Sequence, residues 1–221
     1  MSCTVAAIAL LVLAAHTSAA DTKLTVKVEE TAPPKELSEP VRSLLSEKGM
    51  SVSDEKGKLI CTVWPVKTLD AKGTKAELKY SNIEPTTITG AVKFAETWTD
   101  YRKQKVKAGV YTLRIAVQPM DGDHMGTAPY NEFLLLLPAT EDKKAELLDV
   151  ETMHELSAKS TTRKHPAMML LFPNKTPSDA PTIEVRPKDH QVLSFAIPIA
   201  AGGEKARLGF SPVILGVTQA E

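Results

Sequence analysis

Cysteine is nearly absent from this chain, with two among 221 residues, Cys3 and Cys61. So few cannot staple a small scaffold, and the fold must rest on an apolar core or a bound ion. Cys61 lies in Leu59-Ile60-Cys61-Thr62-Val63, the setting of a buried small hydrophobe rather than a reactive thiol. Net charge is lacking as well, since 27 basic and 27 acidic residues cancel. Nucleic acids and anionic membranes recruit basic footprints, so neither is expected as a partner. Aromatic residues make up only 5% of the chain, which leaves few rings for a stacking platform. No apolar run reaches the roughly 20 residues of a membrane-spanning helix. Also missing are a Gly-x-Ser-x-Gly elbow, a phosphate-cradling glycine loop, a His-Glu-x-x-His pair and a Cys-x-x-Cys pair, which removes the familiar hydrolase, nucleotide and zinc signatures.

What the chain does have begins with an apolar run from Val5 to Ala15 followed by Ser18-Ala19-Ala20. That pattern suits an export signal over residues 1–20, with cleavage before Asp21. No Lys or Arg precedes the run, so an uncleaved anchor is the alternative. The remaining 200 or so residues suffice for one core that buries roughly 70% of the unfolded surface. A single domain over 21–221 is expected, with 21–49 as a possible strand-helix appendage.

Along that domain, alternation predicts strands at Leu24–Val28, at Met50–Ser53 with Leu59–Trp64 as a hairpin, and at Ala76–Tyr80 and Thr86–Phe94. Gly109–Gln118 carries the cleanest period-two pattern, while Phe133–Leu137 is continuously apolar, as a strand covered on both faces would be. Later strands are expected at Ala167–Phe172, Thr182–Arg186, Val192–Ile199 and Ala206–Thr218. A short helix is expected after Ser38, its stripe of Leu37, Val41, Leu44 and Leu45 ending at Gly49. Further helices are expected at Glu141–Leu148 and, capped by Asp149, up to Lys159. About ten short strands with 15 prolines between them point to an all-β fold, an antiparallel sandwich of jelly-roll or immunoglobulin-like type.

The acidic loop between the two core strands invites a chemical reading. Asp121, Asp123, Gly126 and Glu132 fall at positions one, three, six and twelve of a calcium-loop pattern, although Met125 replaces the oxygen ligand at position five. From Ile115 through Asp142 there is no Lys or Arg, while Asp121, Asp123, Glu132, Glu141 and Asp142 are acidic, so a cation would be favoured there. Calcium is therefore the expected ion, with Asp121, Asp123, His124 and Glu132 as its candidate ligands. Copper is a softer alternative through Met120, His124, Met125, His165, Met168 and Met169. Two other classes stay open: an acid–base group built from Asp121, Asp123, His124 and Glu132, and a carbohydrate-binding face lined by Trp64, Trp98, Tyr101 and Tyr130. The balance favours an exported, non-catalytic binding or structural module.

Around Lys107-Ala-Gly-Val-Tyr-Thr-Leu113, between a threonine-rich strand at Thr86-Thr87-Ile88-Thr89 and the apolar strand Phe133–Leu137, the chain resembles a bacterial exported family of unknown function. Its members carry a Lys-x-x-Gly-x-Tyr-Thr/Ser-Leu strand; here one residue fewer separates the Lys from the Gly. The likeness spans about residues 76–138 and implies an all-β sandwich, with no activity or ligand to carry over. Asp121–Asn131 stands where the resemblance implies a shorter hairpin.

Overall fold

The computed structural model describes residues 23–118, 129–163, 165–178 and 180–219. Residues 1–20, expected as an export signal, and the loop centre at 119–128 lie outside these residues. The first strand β1 (Leu24–Glu30) pairs along its whole length with β2 (Lys48–Asp54), and β2 turns into β3 (Leu59–Pro65). That turn is the expected one: Asp54 accepts from the Lys56 and Lys58 amides at 2.9 and 2.8 Å, and Gly57 takes φ +79°. Between β1 and β2 lies α1 (Glu39–Leu44), which sends Val41 into the main core together with the flanking Leu37 and Leu45. Residues 24–45 thus give one strand to the sheet and three side chains of the helical region to the core.

The chain continues through β4 (Leu69–Ala71), β5 (Ile88–Phe94), the small hairpin β6 (Trp98–Thr99) and β7 (Lys105–Val106), then β8 (Gly109–Val117) and β9 (Glu132–Pro138). After the helix α2 (Val150–Ala158) come β10 (Ala167–Leu170), β11 (Thr182–Arg186), β12 (His190–Ala201), β13 (Glu204–Phe210) and β14 (Val213–Leu215). Strands order as β1-β2-β3-β5-β8-β9-β10 in a seven-stranded antiparallel sheet. A second sheet is organised on β12, the longest strand, with β13 and β14 along one edge and β11 and β4 along the other. The β4–β12 pair is parallel, a departure from a purely antiparallel pattern.

The expected all-β sandwich is what forms. Val52, Val63, Val92, Leu113, Ile115, Leu134 and Leu136 of the first sheet share one apolar cluster with Leu193, Phe195, Ile197 and Phe210 of the second. A second cluster covers the opposite face of β8, β9 and β10, where Ala116, Leu135, Leu137, Met168 and Leu170 meet Met153 of α2. Phe133–Leu137 is continuously apolar because both of its faces are covered. Cys61 is fully buried, and burial pushes its thiol up to about 12, so it is inert as expected.

Three expected elements differ. Gly49 does not close a helix but lies in β2, where a Cβ would meet Thr62 and the Trp64 indole at 2.9 and 3.1 Å. Ala76–Tyr80 forms no strand: two 3-10 turns, Lys75–Glu77 and Tyr80–Asn82, carry the Tyr80 ring inward, where its hydroxyl donates to the Phe172 carbonyl at 2.9 Å. Glu141–Leu148 forms no helix, for a reason that lies in β8.

Candidate functional site

Strand β8 alternates as expected, yet every residue from Val110 to Ala116 is buried. Leu113 and Ile115 point into the sandwich, so Thr112 and Arg114 point to the other face, which the chain from Ala139 to Asp149 closes over. Arg114 is 0% exposed. A buried guanidinium is tolerable only when its donors are all matched and its charge is paired.

Here both conditions hold. Arg114 Nε and Nη2 donate to the two Asp142 carboxylate oxygens at 2.8 Å each, a bidentate fork. Nη2 also donates to the Lys144 carbonyl at 2.6 Å, and Nη1 to the carbonyls of Thr86 and Glu146 at 2.6 and 3.0 Å. All five N–H groups of the guanidinium are thereby used. The Thr112 hydroxyl donates to the same Asp142 oxygen that takes Arg114 Nε.

This fork removes the expected Glu141–Leu148 helix. In a helix the Lys144 carbonyl would accept from the Leu148 amide. Instead Lys144 O takes Arg114, and the Leu148 amide donates to Thr86 Oγ1 at 3.1 Å. Propensity loses to a buried charge that must be satisfied. Helix α2 begins only where Asp149 caps it through the Thr152 amide at 2.7 Å.

Thr86 is the second consequence. It adopts φ +72°, a left-handed conformation that a β-branched side chain disfavours. Its carbonyl is held by Arg114, its amide donates to Ile115 O at 2.8 Å, and its hydroxyl accepts from Leu148. Strain of this kind, of order 1–3 kcal/mol, persists only where the surroundings over-determine it, and it clusters at ligand sites.

Immediately beside this knot is a groove of about 380 Å³. Leu44 of α1, Val66, Leu69, Ile88 and Leu147 supply its apolar lining, and Asp70, Glu84 and Glu146 supply carboxylates. Leu44 is 36% and Leu147 54% exposed, so the lining reaches the surface. Glu84 is paired with Lys72, whereas Asp70 and Glu146 make no ion pair among the described residues. Glu84, Thr87 and Glu146 flank or adjoin groups that the Arg114 fork holds in place, so the walls of the groove share one anchor.

The residues singled out from sequence fare unevenly. Asp121, Asp123 and His124, with Met120 and Met125, lie outside the described residues. Glu132 is described: it opens β9 opposite Val117 and is half-buried. Asp142 does not belong to an acidic surplus seeking a cation, because Arg114 neutralises it, and Glu141 pairs with Lys159 at 2.8 Å. Among the described residues no cluster of three or more His, Cys, Asp or Glu is suited to a metal. Met168 and Met169 pack into different apolar clusters and His165 is exposed, so these three do not converge as copper ligands. Trp64, Trp98 and Tyr101 are buried, and Tyr130 packs edge-on against Phe172, so the four rings form no carbohydrate platform. The indoles of Trp64 and Trp98 donate to the Thr31 and Ile214 carbonyls at 2.7 and 2.8 Å, a structural use of their polar ends.

Compared with family models, with curated proteins and with solved structures, the chain matches none.

Arg114→Met keeps the apolar stem, removes the fork and leaves Asp142 buried without a cation, so urea denaturation should register a loss of about 3–5 kcal/mol. The exposed pair Lys58–Glu96 is the internal control, and Lys58→Ala should leave the transition unchanged. A loss below about 1 kcal/mol for Arg114→Met would mean that the fork does not hold the loop.

Proposed function

We propose that the protein is an exported, non-catalytic binding module whose groove beside Arg114 takes an amphipathic, positively charged peptide segment. Export is supported by the Val5–Ala15 run and the Ser18-Ala19-Ala20 pattern. The observation that carries the binding role is the strained Thr86, pinned by a fully satisfied buried guanidinium at the wall of an apolar groove. Such pinning pre-organises a surface and lowers the ordering cost of association. The volume falls within the roughly 300–1,000 Å³ of small-ligand sites. The apolar lining supplies the burial, and the Asp70 and Glu146 carboxylates, which make no ion pair among the described residues, select a cationic flank.

Cation binding by the Asp121–Glu132 loop is the second reading. It draws on the hairpin geometry at the loop's ends, where Val117 pairs with Glu132 and the Gln118 amide donates to Asn131 O at 2.7 Å. Ends tied so closely reduce the entropy lost when a cation orders the connection.

Two measurements separate these readings. A fluorescent peptide of alternating leucine and lysine should bind saturably, weaken as salt rises, and lose about tenfold in affinity in Leu147→Ser. An otherwise identical leucine–glutamate peptide binding equally well would overturn the groove proposal. Titration calorimetry with calcium should give heat and a raised melting temperature that Glu132→Gln abolishes; no heat at millimolar calcium would remove the loop proposal.

A further inference from the structure

The even balance of charge hides a local surplus. Arg102-Lys103-Gln104-Lys105-Val106-Lys107 places four cations in six residues, and Arg163 and His165 form a second basic stretch. The fold brings the two together. In the β6–β7 hairpin, Asp100 is fully buried, and its carboxylate accepts from the Gln104 amide at 2.7 Å, from Gln104 Nε2 at 2.9 Å and from the Met168 amide at 3.1 Å. Gln104 Nε2 gives its other hydrogen to the Pro166 carbonyl at 3.0 Å, and the Tyr101 amide donates to Met168 O at 3.1 Å. Val106 bridges to Thr161, whose hydroxyl donates to His165 O at 2.8 Å. The two stretches are therefore joined by hydrogen bonds through backbone and buried side chains, and their charged ends are displayed from a fixed frame.

Arg102, Gln104, Arg163 and His165 line one depression of about 440 Å³. Neither arginine pairs with a carboxylate among the described residues, and the nearby Asp100 has its oxygens turned to inward donors. Gln104 is 3% exposed, and its Oε1 is buried with no hydrogen-bond partner among the described residues. Because both Nε2 hydrogens are engaged, the amide cannot be flipped, so Oε1 is an acceptor left without a donor.

We infer that this depression is a binding site for a phosphate-class oxyanion, held by Arg102, Arg163 and His165, with a phosphate O–H meeting Gln104 Oε1. Two guanidinium forks match the geometry of a tetrahedral oxyanion. The orphan acceptor sets a preference, since phosphate near neutral pH keeps a proton to donate and sulfate does not. The site shares no residue with the groove beside Arg114 and stands independently of it. The same chemistry is offered by free phosphate and by a phosphomonoester lipid headgroup.

The test is a titration of the full mature chain with inorganic phosphate, followed by amide and arginine side-chain NMR, with sulfate at matched ionic strength. Saturable shifts at Arg102, Gln104 and Arg163 are expected, with sulfate weaker. Arg163→Ala, which removes an exposed side chain, should weaken phosphate about tenfold or more without moving the melting temperature. A parallel arm uses phosphatidylcholine vesicles with and without phosphatidic acid: binding there that Arg163→Ala removes would support the site with a lipid headgroup as its source. The inference is overturned if neither probe binds saturably, or if phosphate and sulfate act alike and Arg163→Ala changes nothing.

Discussion

One guanidinium determines the path of the segment that covers the outer face of β8. Arg114 lies in the middle of a strand whose neighbours are all buried, and its charge has no water to stabilise it. Satisfying it requires one carboxylate and three backbone carbonyls, supplied by the irregular 139–149 segment and by Thr86 just before β5. An apolar side chain of similar size could stabilise the fold as well, given the desolvation that a buried ion pair incurs. What the fork supplies instead is direction. Five hydrogen bonds fix where the carbonyls of Thr86, Lys144 and Glu146 point, and with them the path of the loop that covers the sheet.

That constraint also explains the division between what sequence pattern reveals and what it hides. Gly109–Val117 and Phe133–Leu137 are legible because burial on a pleated strand imposes period two or a continuous apolar run. The Asp54–Gly57 turn and the Asp149 cap are legible because their side chains bond their own local backbone. Arg114 reads as the solvent face of an alternating strand, because nothing in the spacing of Arg114 and Asp142 signals that a loop will fold over it. The absent helix at Glu141–Leu148 follows from the same blindness, since its composition is helical and its carbonyls are claimed from 30 residues away.

For the sites, the sequence was informative about residue types and poor about neighbours. The four cations at 102–107 are masked by the even balance of charge and were not singled out from sequence, and only pairing of Val106 with Thr161 brings Arg163 and His165 to them. The groove has no sequence motif at all: Leu44, Leu69, Ile88 and Leu147 come from four separate segments. Trp64, Trp98 and Tyr101 proved to be buried, and each indole N–H found a carbonyl within the fold.

The central claim is that the Arg114 fork, rather than local propensity, holds the 139–149 segment and Thr86 in place. Native-state hydrogen exchange at the Leu148 amide tests this most directly, because its acceptor is Thr86 Oγ1, itself positioned by the fork. The account predicts that Leu148 is protected nearly to the level of the β8–β9 core in the native protein. In Arg114→Met the Leu148 amide should exchange at the rate of an open loop, while the β8–β9 amides lose only the roughly 3–5 kcal/mol by which global stability falls. Exchange of Leu148 at the rate of an open loop in the unaltered protein would contradict it.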